Sequence, residues 1–232
     1  MNIKKDIETT ITGWFFIASA LLLLVGWVLL PHKLGEYIIA SDFAKVGESM
    51  WYWIWMFRIY IFGWVTLIIA AFALITISSR KPFRVLLFPG AGMLIVGTFT
   101  LAIAAAFYYN YGAWGVGQTS GKSAEEIQVF MNDILYTNQY VTCFVRFGRI
   151  FSGVGLVLLG VGLIKWKLIN IPTAWLTLVL GLVAMCIILF IPDYYEYYKP
   201  VFFVKVLWIF AMGFSILKWG LDMSAAESSQ KK

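Results

Sequence analysis

Residues 140–191 read YVTCFVRFGRIFSGVGLVLLGVGLIKWKLINIPTAWLTLVLGLVAMCIILFI. The stretch holds two apolar runs, Tyr140–Ile164 and Ile171–Ile191, joined by a short turn that carries Lys165, Lys167 and Asn170. A helix needs roughly 20 apolar residues to cross about 30 Å of hydrocarbon, and each run has that length. Neither contains an acidic residue. The stretch predicts a hairpin of two antiparallel membrane helices. The same test finds Ile11–Leu30, Trp51–Ile77 and Val85–Tyr109 before the hairpin and Val201–Leu217 after it. The expected fold class is all-α: a polytopic integral membrane protein, with residues 1–232 forming one six-helix transmembrane bundle.

Composition agrees. Hydrophobic residues make up 61% of the chain and charged residues 13%, against about 45–50% and about 25% in soluble domains. The 11 Trp and 12 Tyr suit a membrane boundary, where a ring sits in apolar surroundings and its N–H or O–H stays wet. The net charge of +6 is scattered along the chain, so no nucleic-acid partner is expected. The two cysteines, Cys143 and Cys186, both fall in apolar runs and read as small buried hydrophobes, neither a disulfide nor a metal site. His32 is the single histidine, which excludes a bis-histidine haem or a histidine zinc cluster within the chain. No cofactor is expected.

Basic residues set the expected orientation. With the N-terminus in the cytoplasm, the cytoplasmic segments hold Lys4, Lys5, Arg80, Lys81, Arg84, Lys165, Lys167, Lys218, Lys231 and Lys232. The outer segments hold Lys33, Lys45, Lys122 and Lys199, together with most of the acidic residues. Both termini are then cytoplasmic, and 224–232 forms a flexible tail. The first span is too long for a signal-peptide core and no small-residue cleavage site follows it, so it reads as an uncleaved anchor.

The outer connections carry most of the polar sequence. His32–Met50 is long enough for an interfacial helix. Asn110–Gln139 begins with the glycine-rich YGAWGVG at 111–117, read as a flexible loop because it lacks the Lys-Ser/Thr that completes a phosphate loop. Ser123-Ala-Glu-Glu126 follows as a capping box. Ile127, Phe130, Met131 and Ile134 then share one helical face, which predicts a short amphipathic helix resting on the outer surface. Pro89-Gly90-Ala91-Gly92 marks a kink or a close helix contact in the third span. No self-similarity relates residues 1–110 to 111–232.

Four basic residues fall inside the spans: Arg58, Arg146, Arg149 and Lys205. A charge in hydrocarbon costs at least ~2.5–3.5 kcal/mol, so it faces protein interior or water, or snorkels. Lys205 is shallow enough in its span to snorkel. On the fourth span Asn138, Thr142, Arg149, Gly153 and Gly160 share one side, while Gly148, Gly155 and Gly162 line another. Small residues let helices approach closely in lipid. This helix is therefore expected to be central, packed on two faces, with its arginines inward.

Two readings of the cations stand side by side. In one, Arg58, Arg146 and Arg149 converge on an anion (a carboxylate, a phosphate or a lipid head group), the acceptors that a guanidinium fork fits, with Lys205 as a further ligand. In the other, they pair with Glu48, Asp133, Asp193 or Glu196 and hold the bundle together. Arg58 also lies one turn from Trp55, in reach of a cation–π contact.

The runs GLVLLGVGLI at 155–164, IPTAWLTLVLG at 171–181 and LWIFAMG at 207–213 resemble small prokaryotic six-span membrane proteins of unknown function, in which a Pro-x-x-Trp-Leu step opens the fifth span. The resemblance implies a six-helix membrane protein and brings no catalytic residues. Expected function is a non-catalytic integral membrane subunit or scaffold of a larger complex in the cell membrane. The alternative is a binder or carrier of an anionic or amphiphilic small molecule. Expected partners are the lipid bilayer, other membrane subunits or further copies of the chain, and an anionic small molecule or lipid.

Overall fold

The structure, a computed structural model, describes residues 3–29, 49–78, 84–119, 121–166, 169–192 and 194–229. Among them lie seven α-helices: α1 Ile3–Leu29, α2 Met50–Ser78, α3 Arg84–Tyr108, α4 Gly115–Thr119, α5 Ala124–Trp166, α6 Ile171–Phe190 and α7 Tyr194–Ser229. A π-helical turn, Tyr109–Trp114, links α3 to α4. Six of the helices, α1, α2, α3, α5, α6 and α7, coincide with the six spans read from sequence, with α1, α5 and α7 running several residues or more beyond the read ends, and all six are long and apolar enough to cross a membrane. Apolar residues surround these helices on most sides, as in segments buried in protein on one side and in lipid on the other.

The six long helices form a closed ring. Its main contacts join α1 to α2, α2 to α3, α3 to α5, α5 to α6, α6 to α7, and α7 back to α1. Neighbours run antiparallel: Gly26 meets Tyr60 while Gly63 meets Leu23, and Gly90 meets Leu159 while Gly97 meets Ser152. One end of the ring therefore gathers the N-terminal end of α2, the π turn, α4 and the start of α5. We refer to it as the cap face.

Helix α5 occupies two seams at once, and its two glycine rows explain how. Gly148, Gly155 and Gly162 lie against Gly97, Leu94 and Leu87 of α3. Gly153 and Gly160 lie against Met185 and Leu178 of α6. In lipid the gain comes from van der Waals contact between close backbones, which a side chain at these positions would prevent. The expected two-faced packing is present, although α5 takes one place in the ring and not its centre. Gly90 of the Pro-Gly-Ala-Gly step makes the close contact, while Gly92 faces open space.

Several expectations change. The amphipathic segment does not lie flat as a separate element. It is the first part of α5, whose 43 residues extend ~64 Å, about twice the hydrocarbon thickness. No glycine or proline interrupts residues 124–147, so nothing stops the helix between the capping box and the span. The box forms as read: Glu126 N–H donates to Ser123 Oγ at 3.2 Å, and Ser123 N–H donates to Glu126 Oε2 at 2.8 Å. Phe130 and Met131 lean on Trp53, Ile54 and Phe57 at the end of α2.

The glycine-rich segment, read as a loop, is wound into the π turn and α4. Its aromatic residues hold it, with the Trp114 ring 6.0 Å from Trp51 and 6.4 Å from Tyr109. Gly121, at φ 79°, makes the turn into α5. Cys143 and Cys186 are not buried but lie exposed on the outside of the ring, as free thiols. The segment 32–48, with His32, lies outside the described residues.

Candidate anion-binding site

Helix α7 supplies the most deeply placed cation. Its buried side carries Val201, Phe202, Lys205, Val206, Trp208 and Ile209. Lys205 falls in the middle of that row, so its side chain enters the ring and does not snorkel. It is 3% exposed, eight residues and hence ~12 Å into the apolar part of α7, which spans Tyr197–Gly220. Its Nζ stands 5.0 Å from the centroid of Trp64 on α2.

Trp64 is itself 2% exposed. Tyr60 and Phe202 pack around it at 5.5 and 6.2 Å between centroids. Its indole Nε1–H has no acceptor among the described residues. Such a donor is costly to bury, and most buried indole N–H groups find a partner. Trp208 of α7, about one turn beyond Lys205 and facing α6, shows the ordinary solution. Its Nε1–H donates to Thr177 Oγ1 at 2.7 Å, and Thr177 in turn donates to the Thr173 carbonyl at 2.7 Å. That polar ladder continues to Asn170, which donates to Ser215 Oγ at 2.7 Å and caps α6 by accepting from Thr173 N–H at 2.8 Å.

Arg149 is the second cation of the interior. It shares the side of α5 whose glycines seat α6, and it reaches past α6 to α7. Its Cζ lies 4.2 Å from the ring centroid of Tyr198, which is 5% exposed. Tyr198 and Lys205 are both buried on α7, seven residues or two helical turns apart, so Arg149 and Lys205 meet the same side of that helix. No carboxylate contacts Lys205 among the described residues. The sequence explains why: all 12 acidic residues fall at positions 6, 8, 36, 42, 48, 125, 126, 133, 193, 196, 222 and 227, leaving the middle of every span without one.

The structure does not gather the other two cations here. Arg58 joins a separate cluster at the cap end of α2, where its Cζ is 5.0 Å from the Trp55 ring, as its spacing suggested. Arg146 is exposed on the outer side of α5, one helical step from Arg149's face, so the expectation that both α5 arginines point inward holds for Arg149 alone. Asp133 is exposed on the same helix, 13 residues before Arg146 and 16 before Arg149. At 1.5 Å per residue those gaps are ~20 and ~24 Å, beyond any ion pair. Glu48, Asp193 and the Glu196 side chain lie outside the described residues.

Trp64 and Tyr198 are the site residues that sequence reading missed. Nothing in their spacing distinguishes them from the other tryptophans and tyrosines; their role comes from which helices the ring places opposite one another. No protein-family model, curated protein or solved structure matches this chain.

Proposed function

We propose that the chain is a non-catalytic membrane protein that binds the anionic group of a small amphiphile inside the ring, between Lys205, Arg149 and Trp64. One observation carries this reading: a lysine 3% exposed, with an aromatic ring as its contact, beside an indole N–H that has no acceptor among the described residues, and with a second cation packed against the same helix two turns earlier. A cation–π contact returns about 0.5–2 kcal/mol, less than the ~2.5–3.5 kcal/mol that a charge at this depth costs. A carboxylate or phosphate between the two cations would offset the rest and accept the indole hydrogen. The aromatic side chains around Trp64 would take the apolar part of the molecule.

The positive-inside pattern supports a reading in which the protein sits in a cell membrane with the cap face outside and both termini in the cytoplasm. The subunit or scaffold role is compatible with ligand binding, and one feature favours it. Val129 and Tyr136, 60% and 80% exposed, stand on the part of α5 that extends past the span. Large apolar surfaces outside hydrocarbon serve as contact sites for other proteins.

The test is isothermal titration of the detergent-purified protein with decanoate and decyl phosphate, using decanol as the uncharged comparator. The wild type should bind the two anions and not the alcohol. Lys205→Met should weaken anion binding at least about 10-fold and stabilise the empty protein, by on the order of 2 kcal/mol, because a buried charge is removed. Equal binding by wild type and Lys205→Met would refute the site. A Lys205→Met protein less stable than wild type would show that the lysine is a structural partner.

A further inference from the structure

Arg58 occupies a place that the interior site does not explain. Helix α2 exposes Trp51, Trp55, Phe62, Val65, Ile69 and Phe72. These positions follow one another at steps of three and four, which is one face of a helix. Between Trp55 and Phe62 the same stepping lands on Arg58, half-buried. The buried residues of α2, among them Trp53, Ile54, Met56, Phe57 and Trp64, lie on the other sides. Arg58 is thus a single cation in the lipid-facing row.

Its depth is that of the lipid head groups. Helix α2 has 29 residues, ~43 Å, and so exceeds a ~30 Å hydrocarbon layer by ~13 Å. The excess falls at the cap end, where the outer part of α5 and the π turn pack on Trp53, Ile54 and Phe57. Arg58 lies eight residues, ~12 Å, from the start of α2. The exposed Trp51 and Trp55 beside it are the residue type that settles at this boundary.

The guanidinium is held but not used up. Its Nε–H donates to Tyr109 Oη at 3.1 Å. The Trp55 and Tyr109 ring centroids lie 5.0 and 5.7 Å from its Cζ. Among the described residues neither Nη meets an acceptor, and the two amino groups present a fork. Such a fork fits two oxygens of a phosphate. The acceptor's chemistry follows: a phosphate oxyanion at head-group depth, on the lipid side of the ring.

We infer that Arg58, fixed by Trp55 and Tyr109, binds the phosphodiester of a phospholipid in the leaflet at the cap face. The site is distinct from the interior one: it uses no residue of it and stands or falls separately.

The experiment is native mass spectrometry of the delipidated full-length protein in detergent. The probes are phosphatidylglycerol, diacylglycerol and inorganic phosphate. The wild type should retain phosphatidylglycerol and not diacylglycerol, and excess inorganic phosphate should not displace the lipid. Arg58→Ala should weaken phosphatidylglycerol binding about 10-fold or more. Arg58→Lys, which keeps the charge and loses the fork, should fall between the two. Tyr109→Phe, which frees Nε, should weaken binding by a smaller factor, and Lys205→Met should leave it unchanged. The two milder variants carry the test if Arg58→Ala does not fold. Lipid retention by Arg58→Ala and Arg58→Lys equal to wild type would overturn the inference. Displacement by inorganic phosphate would overturn it as well, by assigning the fork to a soluble anion.

Discussion

The seam between α3 and α5 can be tested with a pair of alanines. A Cβ at Gly155 would stand 2.6 Å from Leu94 N, 2.7 Å from the Gly90 carbonyl oxygen and 3.1 Å from Leu94 Cα. Ordinary carbon contacts lie at about 3.5–4.0 Å. The overlap is close to ~1 Å, and it falls on backbone atoms that no rotamer change can move. Overpacking of this kind costs about 1–3 kcal/mol. Gly92 sits on α3 near this seam, yet a Cβ there meets nothing within 4 Å. Both substitutions gain the same helix-propensity benefit, about 1 kcal/mol for alanine over glycine. That benefit cancels in the comparison, so Gly155→Ala should be less stable than Gly92→Ala by about 1–3 kcal/mol. Gly92→Ala should itself be more stable than wild type. Reversible unfolding in mixed micelles, followed by tryptophan fluorescence, reads both quantities. If Gly155→Ala matches or exceeds Gly92→Ala, the two helices do not meet along the glycine row and the ring is wrongly closed at that point.

Two further outcomes are expected. Thr177→Val removes the acceptor of the Trp208 indole, at a place where both residues are 0% exposed. An orphaned buried donor should cost about 1–3 kcal/mol of stability, and Thr177→Ser, which keeps the oxygen, should cost less. Topology is read by cysteines introduced at Lys122 and Lys165, both exposed and at opposite ends of α5, in a chain whose native Cys143 and Cys186 are replaced by serine. A membrane-impermeant maleimide should label the Lys122→Cys protein in intact cells and the Lys165→Cys protein only after permeabilisation; the reverse pattern would put the cap face in the cytoplasm.

The fold was legible because hydrocarbon imposes a length. The second, third and fifth spans end within a residue or so of α2, α3 and α6. The two glycine rows of α5 were equally legible, since a seven-residue repeat of small side chains identifies a face without naming the neighbour. The closure of the ring was not, because nothing in the sequence of α1 says that α7 lies beside it. Side-chain direction at the helix ends was the weakest inference. Lys205 is near enough to the boundary to snorkel by depth alone; only its position between Phe202 and Val206 on the buried row of α7 sends it inward. The outer part of α5 was misplaced for a related reason. An apolar face of 127, 130, 131 and 134 predicts a helix and a partner surface, but lipid and the aromatic end of α2 satisfy the face equally well.

The four intramembrane cations separate by what surrounds each one, and that separation decides which can bind. Cost alone does not distinguish them, since each carries one positive charge in a chain whose spans lack carboxylates at mid-depth. Arg58 is on the lipid face at head-group depth, where a phosphate is always within reach and no protein acceptor is needed. Arg146, exposed on the side of α5 away from the ring interior, is similarly placed to reach the boundary. Arg149 and Lys205 have no such exit. Arg149 packs on the face of Tyr198 and Lys205 on that of Trp64, and Tyr198 and Lys205 stand seven residues apart on the buried side of α7. Attraction to a ring face weakens when a second cation stands nearby, whereas an anion between the two attracts both. The interior pair is therefore where a bound molecule changes stability most. It follows that the ligand should raise the unfolding midpoint of the wild type and leave that of Lys205→Met little changed.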